Sequence, residues 1–186
     1  GDPQLGRTTV HVAGSKGKGS VSAMIESILR ASGVSTGLFT SPHLHEYTER
    51  VRIDGEPVSR DGFARLVDAL RPAVEAERAA IGDRAFVTFD LFTALGFLAF
   101  REAGVEAQVI EVGLGGRVDS TNVFATKEVA VITPLSFEHT AILGDKIDQI
   151  GKTHGTEEAH YIRLRGLDEP LSVSRRQYSQ IRELLR

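Results

Sequence analysis

At 186 residues, with 41% hydrophobic and 25% charged side chains, the chain matches an average soluble globular protein and suits one core with a short appendage. Its 22 basic and 25 acidic residues leave a formal net charge of -3, so no global field draws a polyanion such as nucleic acid or an acidic membrane surface. The lack of cysteine excludes disulfides and thiolate metal sites and agrees with a cytoplasmic setting; the apolar stretch Leu91–Phe100 falls short of a membrane span of roughly 20 residues, and no secretory or transit leader opens the chain.

The run Thr8–Ala13 reads as a buried strand ending in a turn at Gly14. Val21, Met24, Ile25, Ile28 and Leu29 then fall on one face of a helix, with Gly33 as its left-handed cap. A second strand is predicted at Ser35–Thr40, stopped by Pro42, and Arg50–Ile53 alternates before an Asp54-Gly55 turn. Ser59-Arg60-Asp61 opens another helix, whose apolar positions Phe63, Leu66, Val67 and Leu70 keep helical spacing up to Pro72. The Ala- and Glu-rich stretch to Ala80 continues it after a kink, and Gly82 ends it.

An apolar helix at Thr88–Glu102 is closed by Gly104, and the strand Ala107–Val112 runs into Gly113-Leu114-Gly115-Gly116. A further strand at Glu128–Thr133 is broken by Pro134. Strands alternating with helices predict an α/β fold: a mostly parallel sheet with helices on both faces and ligands at the carboxyl ends of the strands. Beyond Ile150 the apolar periodicity stops. The reading divides the chain into a nucleotide-binding domain over 1–150 and a tail over 151–186, with a strand at His160–Arg165 and a helix at Ser174–Leu185 but no chemistry.

Gly14, Ser15, Lys16, Gly17, Lys18, Gly19 and Ser20 stand between the first strand and the first helix. There, successive backbone N–H groups and the positive helix end can converge on phosphate oxygens. Lys18 can reach the β and γ oxygens of ATP, and the Ser20 hydroxyl can ligate Mg2+. The spacing departs from G-x-x-x-x-G-K-[ST]: two residues separate Gly14 from Gly17, and Gly19 stands between Lys18 and Ser20. The alternative is a flexible turn with two solvated lysines.

The segment His11-Val-Ala-Gly-Ser-Lys-Gly-Lys-Gly-Ser20 resembles the phosphate loop of the Mur ligase superfamily, and specifically of folylpolyglutamate synthase/dihydrofolate synthase. Gly37-Leu-Phe-Thr-Ser-Pro-His-Leu44, Glu49-Arg-Val-Arg-Ile-Asp-Gly-Glu-Pro-Val-Ser59 and Thr88-Phe-Asp-Leu-Phe-Thr-Ala-Leu95 are similar to that family's following segments. So are Glu111-Val-Gly-Leu-Gly-Gly-Arg-Val-Asp-Ser-Thr-Asn122 and Ser136-Phe-Glu-His-Thr140, in the same order. The resemblance implies a fold like the Mur ligase central domain and ATP-dependent ligation: a carboxylate is phosphorylated to an acyl phosphate, which the amino group of L-glutamate attacks. The acceptor would be a folate or dihydropteroate.

By that resemblance Glu111, Ser41 and His139 join Ser20 around magnesium. The alternatives are an acid capping a turn, a serine in an ordinary Ser-Pro turn and a solvated histidine. Arg117 could stabilise charge on the transferred phosphoryl group beside Lys18, although a surface salt bridge explains it almost as well. Asp119 and Asn122 can be turn builders, and Asp90 a helix N-terminal acid.

The pattern fails after Leu143-Gly144. Where the resembled family has Glu-Lys-Ala-Gly, with a carbamylated lysine at a second magnesium, this chain has Thr153-His154-Gly155. Lys152 lies two residues early, a turn of about 200° around a helix. The family's C-terminal domain has no counterpart either, which opens a second reading as a non-catalytic ATP-binding remnant. A third is a phosphotransferase unrelated to ligases, which leaves the downstream segments unexplained.

Overall fold

The computed structural model describes residues 2–82, 86–116 and 119–136, together with the backbone of the strands at 149–152, 160–163 and 171–173. Arg117, His139, Thr153-His154-Gly155 and the helix expected at Ser174–Leu185 lie outside the described residues.

Up to residue 111 the described residues form five strands and three α-helices, of which the sequence predicts all but the two-residue strand β4. They are β1 (Thr8–Ala13), α1 (Lys18–Ala31), β2 (Thr36–Phe39), β3 (Val51–Ile53), β4 (Glu56–Pro57), α2 (Arg60–Ile81), α3 (Thr88–Ala103) and β5 (Ala107–Glu111). β6 (Val129–Ile132) completes a six-stranded sheet of order β4-β3-β2-β5-β1-β6. β5 runs parallel to both neighbours, with Ala107 opposite Thr8 on one side and Thr36 on the other, whereas β3 and β4 are antiparallel additions at one edge. Their hairpin turns on Asp54 and Gly55, at φ 48° and 86°, the left-handed pair that an Asp-Gly turn requires.

Alternation along the strands divides the core. Val10, Val12, Leu38 and Val109 face α1, where Val21, Ile25 and Leu29 meet them. Phe39, Val51 and Ile110 point the other way, into Leu66 of α2 and Phe92, Leu95 and Phe100 of α3. Each fully buried aromatic or aliphatic side chain here contributes about 1.5–3 kcal/mol of transfer free energy. α2 begins at Ser59, whose hydroxyl accepts the Gly62 N–H, and continues through Pro72 as one helix to Gly82.

The sheet covers α1 along a stripe rotated from the one expected: Val21, Ile25 and Leu29 meet it as expected, but Met24 and Ile28 do not. Ser22 and Glu26 are buried, while Met24 and Ile28 are 64% and 65% exposed. Glu26 can go inward because it takes the Thr36 hydroxyl at 2.7 Å and the Arg30 guanidinium at 3.1 Å. A buried carboxylate so paired is tolerated, and it rotates the helix away from its purely apolar face.

The chain groups into two compact units, Gly1–Ala13 with Lys18–Val131, and Gly14–Gly17 with Ile132–Arg186. In the second, β7 (Gln149–Lys152), β8 (His160–Arg163) and β9 (Leu171–Val173) form an antiparallel sheet of order β7-β8-β9, with Ile150 opposite Ile162 and Ile162 opposite Leu171. No described helix is long and apolar enough to cross a membrane.

Candidate functional site

Parallel pairing brings the carboxyl ends of β2 and β5 to one end of the sheet, where α1 also starts. Glu111, the last residue of β5, is 4% exposed there. Its carboxylate accepts the Ser41 backbone N–H at 2.9 Å and a second backbone N–H from Gly19 in the first turn of α1, with the Lys18 charge close by. Burial raises its proton affinity above the ordinary carboxylate value; the two amides and Lys18 pull it partly back. A methyl at Gly19 would stand 3.4 Å from the carboxylate oxygen, an ordinary contact, so the backbone N–H and not the missing side chain is what Gly19 brings to Glu111.

The structure therefore brings Lys18, Gly19, Ser41 and Glu111 together. Ser20 lies in the same first turn of α1 and is exposed. This donor set fits magnesium, which takes oxygen ligands and is commonly held by one or two carboxylates plus substrate phosphates. Among the described residues no three His, Cys, Asp or Glu side chains cluster as a metal cage, so Glu111 would be the anchoring carboxylate. Beyond Ser41, Arg50 donates its Nε–H to His43 at 3.0 Å and lies 4.6 Å over the Phe92 ring.

Within the other unit, Gly14–Gly17 rest on the segment after β6. The Ser15 and Lys16 N–H groups donate to the Pro134 carbonyl at 3.1 and 3.4 Å. Ser15 also exchanges bonds with the Ser136 backbone, donating its hydroxyl at 3.0 Å and accepting an N–H at 2.9 Å. Two amides expected to face phosphate are thus directed at a carbonyl in this structure.

The glycine loop after β5 is built by its own polar side chains. Asp119 accepts the Leu114 N–H at 2.7 Å and the Thr121 N–H at 3.0 Å, and Lys127 donates to Asn122 at 2.8 Å. Asp90 accepts the Val87 N–H at the start of α3 and a short hydrogen bond from the Ser120 hydroxyl, so the helix-terminal reading of Asp90 is the one the structure supports. Sequence reasoning missed His11, Thr121 and Lys127. The available signal was a histidine set between Val10 and Val12 in a strand, where only a partnered ring is tolerated.

No protein-family model matches the chain. It is 44% identical over 154 residues to the probable bifunctional folylpolyglutamate synthase/dihydropteroate synthase of Haloferax volcanii, matching 82% of this chain and 18% of that protein. It is 40% identical over 152 residues to the folylpolyglutamate synthase of Lacticaseibacillus casei, matching 82% of this chain and 35% of that one. Among solved structures, Mycobacterium tuberculosis folylpolyglutamate synthase complexed with ADP superposes with a TM-score of 0.70 at 40% identity, over 74% of this chain and 31% of that chain. A folylpolyglutamate synthase complex with AMPPCP and folate gives 0.72 at 39% identity, over 76% and 34%. The chain spans 18% to 35% of the length of these curated relatives.

Proposed function

We propose that this chain, which belongs to the folylpolyglutamate synthase/dihydrofolate synthase family of the Mur ligase superfamily, binds ATP with magnesium as the nucleotide domain of an amide ligase. The observation that carries the reading is Glu111, a buried carboxylate set against the first turn of α1 beside Lys18. A carboxylate held there supplies one oxygen ligand, Ser20 and Ser41 supply hydroxyls, and Lys18 supplies positive charge for the β and γ phosphates. Gly14, Ser15, Lys16 and Gly17 precede them in the phosphate-loop sequence, and in this reading their amides turn to the nucleotide when it binds. Magnesium, when bound, neutralises charge on the triphosphate during phosphoryl transfer. His139 and Arg117 belong to the same proposal, as a further metal ligand and a cationic partner of the transferred group.

In the whole protein the substrate carboxylate of a folate or dihydropteroate takes the γ-phosphoryl group and releases ADP. The glutamate amine then attacks the acyl phosphate, forming the amide and releasing phosphate. The adenine-nucleotide complexes of relatives support the ATP part, and the folate complex of a relative supports the acceptor class. The non-catalytic alternative draws on the sequence Thr153-His154-Gly155 and on the strand conformation of Gln149–Lys152. Glutamate-dependent release of ADP separates the two.

The test is calorimetry of ATP with magnesium against the chain and its Lys18→Ala variant. Affinity should fall at least about tenfold, the loss of one charge-assisted phosphate contact. Equal affinities would remove the phosphate-loop assignment.

A further inference from the structure

We infer that Lys127, His11 and Thr121 are positioning residues, forming a hydrogen-bond chain of fixed direction that sets the turn after Glu111 and so aims its carboxylate. The inference rests on the magnesium-nucleotide reading of Glu111.

The direction of the chain follows from the donors available. Lys127 Nζ, which can only donate when protonated, lies 3.2 Å from His11 Nδ1, so Nδ1 is the accepting nitrogen. The proton of the neutral ring then sits on Nε2, which lies 2.8 Å from the Thr121 hydroxyl oxygen. Thr121 accepts there and passes its own proton toward Asp119 Oδ1 at 2.5 Å. Asp119 Oδ2 in turn holds the Leu114 N–H, three residues beyond Glu111. His11 is 6% exposed and Thr121 fully buried, so no solvent competes along the middle of the chain.

The turn so gripped has little freedom. Val112 continues the parallel ladder by donating to the Val12 carbonyl at 2.9 Å, and Gly113 sits so close to Phe89 that an added methyl would lie 2.5 Å from its ring. A buried histidine in β1, the strand beside β5, thus reaches the backbone directly after the proposed metal ligand. Burial first, and then the Lys127 charge, hold His11 neutral, which keeps the order of donors and acceptors intact. Partners that orient metal ligands in this way are commonly worth 10–100-fold in metal affinity.

The test has two arms. Histidine labelled with nitrogen-15 in the full chain, with the His11 signal assigned by its loss in His11→Gln, should show the Nε2–H tautomer at neutral pH. In Lys127→Met, which leaves the buried ring in place, the two tautomers should mix. An Nδ1–H tautomer, or a spectrum that ignores Lys127→Met, overturns the chain. In the second arm, Thr121→Val should reduce the gain in ATP affinity that magnesium brings by about tenfold, and Thr121→Ser should restore it. An equal loss with and without magnesium, or none, overturns the positioning role. If ATP fails to bind the unaltered chain, the nucleotide reading falls, and the tautomer spectrum still decides whether the hydrogen-bond chain exists.

Discussion

The Glu111 carboxylate takes the Ser41 backbone N–H at 2.9 Å, tying the end of β5 to the loop that follows β2. Burial makes this charge expensive and raises its proton affinity despite two amides and Lys18. A carboxyl whose folded pKa exceeds its unfolded value lets the native state hold the proton longer. Stability is therefore fully preserved below about 4.5 and declines as pH rises through the folded value. Glu111→Gln should accordingly melt at a higher temperature than the parent at pH 7, with the difference closing below pH 4.5. It should at the same time lose at least about tenfold of the magnesium-dependent ATP affinity, since even partners that only orient a metal ligand are commonly worth 10–100-fold. A lower melting temperature at pH 7 would show that the amides and Lys18 more than offset the burial.

Acid should act through His11. Its folded pKa is lowered from 6.5 to about 4, by burial first, then by Lys127, with Asp119 opposing. The unfolded chain therefore binds the extra proton first. Stability is complete above pH 6.5 and falls as pH drops toward 4, by roughly 3 kcal/mol at 1.36 kcal/mol per pH unit. Urea denaturation between pH 7 and 4.5 should show that decline in the parent and a flatter profile in His11→Gln. A parent profile with no slope between pH 6.5 and 4.5 would remove the neutral buried imidazole.

The elements were legible where one local rule decided them. Asp54-Gly55 marked its hairpin because only left-handed residues close that turn, and Ser59 marked the start of α2 through its hydroxyl. The face of α1 was legible at Val21, Ile25 and Leu29 but not at Met24 and Ile28, because spacing locates an apolar stripe but not which of its edges a sheet will cover. Glu26 is drawn inward by Thr36, a partner on β2 that no window of sequence contains. The same limit hid the His11 network, whose members come from β1 and from the loop before β6. Lys18, Ser41 and Glu111 came together in the sequence through the resemblance, and the structure brings them to one end of the sheet, where Gly19 joins them. The direction of the Ser15 and Lys16 amides was not legible, since it depends on where the Pro134 carbonyl lies.

Gly37 on β2 should tolerate nothing larger. A methyl there would stand 2.4 Å from the ring of Phe100, a fully buried residue of α3. The backbone of Gly37 is not left-handed, so the penalty is one of packing alone. Gly37→Ala should lose about 1–3 kcal/mol in urea denaturation, the range for overfilled cores. Combined with Phe100→Leu, which frees volume beside β2, the loss from Gly37→Ala should shrink; strict additivity of the two changes would contradict the packing account.

Gly14 carries a different constraint, in which conformation and space both count. Its φ is 137°, which side chains rarely adopt, and an added methyl would lie 2.0 Å from Thr133 Oγ1 and 3.0 Å from the Thr133 backbone nitrogen. Gly14→Ala should therefore displace the start of the phosphate loop at a cost of about 1–3 kcal/mol in stability. ATP affinity should fall with it, at least about tenfold, because the amides that follow Gly14 lose their common direction. Adding Thr133→Ala removes the hydroxyl contact but leaves the backbone nitrogen and the strained φ, so it should recover part of the stability and little of the binding. Calorimetry on the single and double variants measures both quantities, and ATP binding by Gly14→Ala at the parent affinity would mean that the loop takes up the nucleotide in some other conformation.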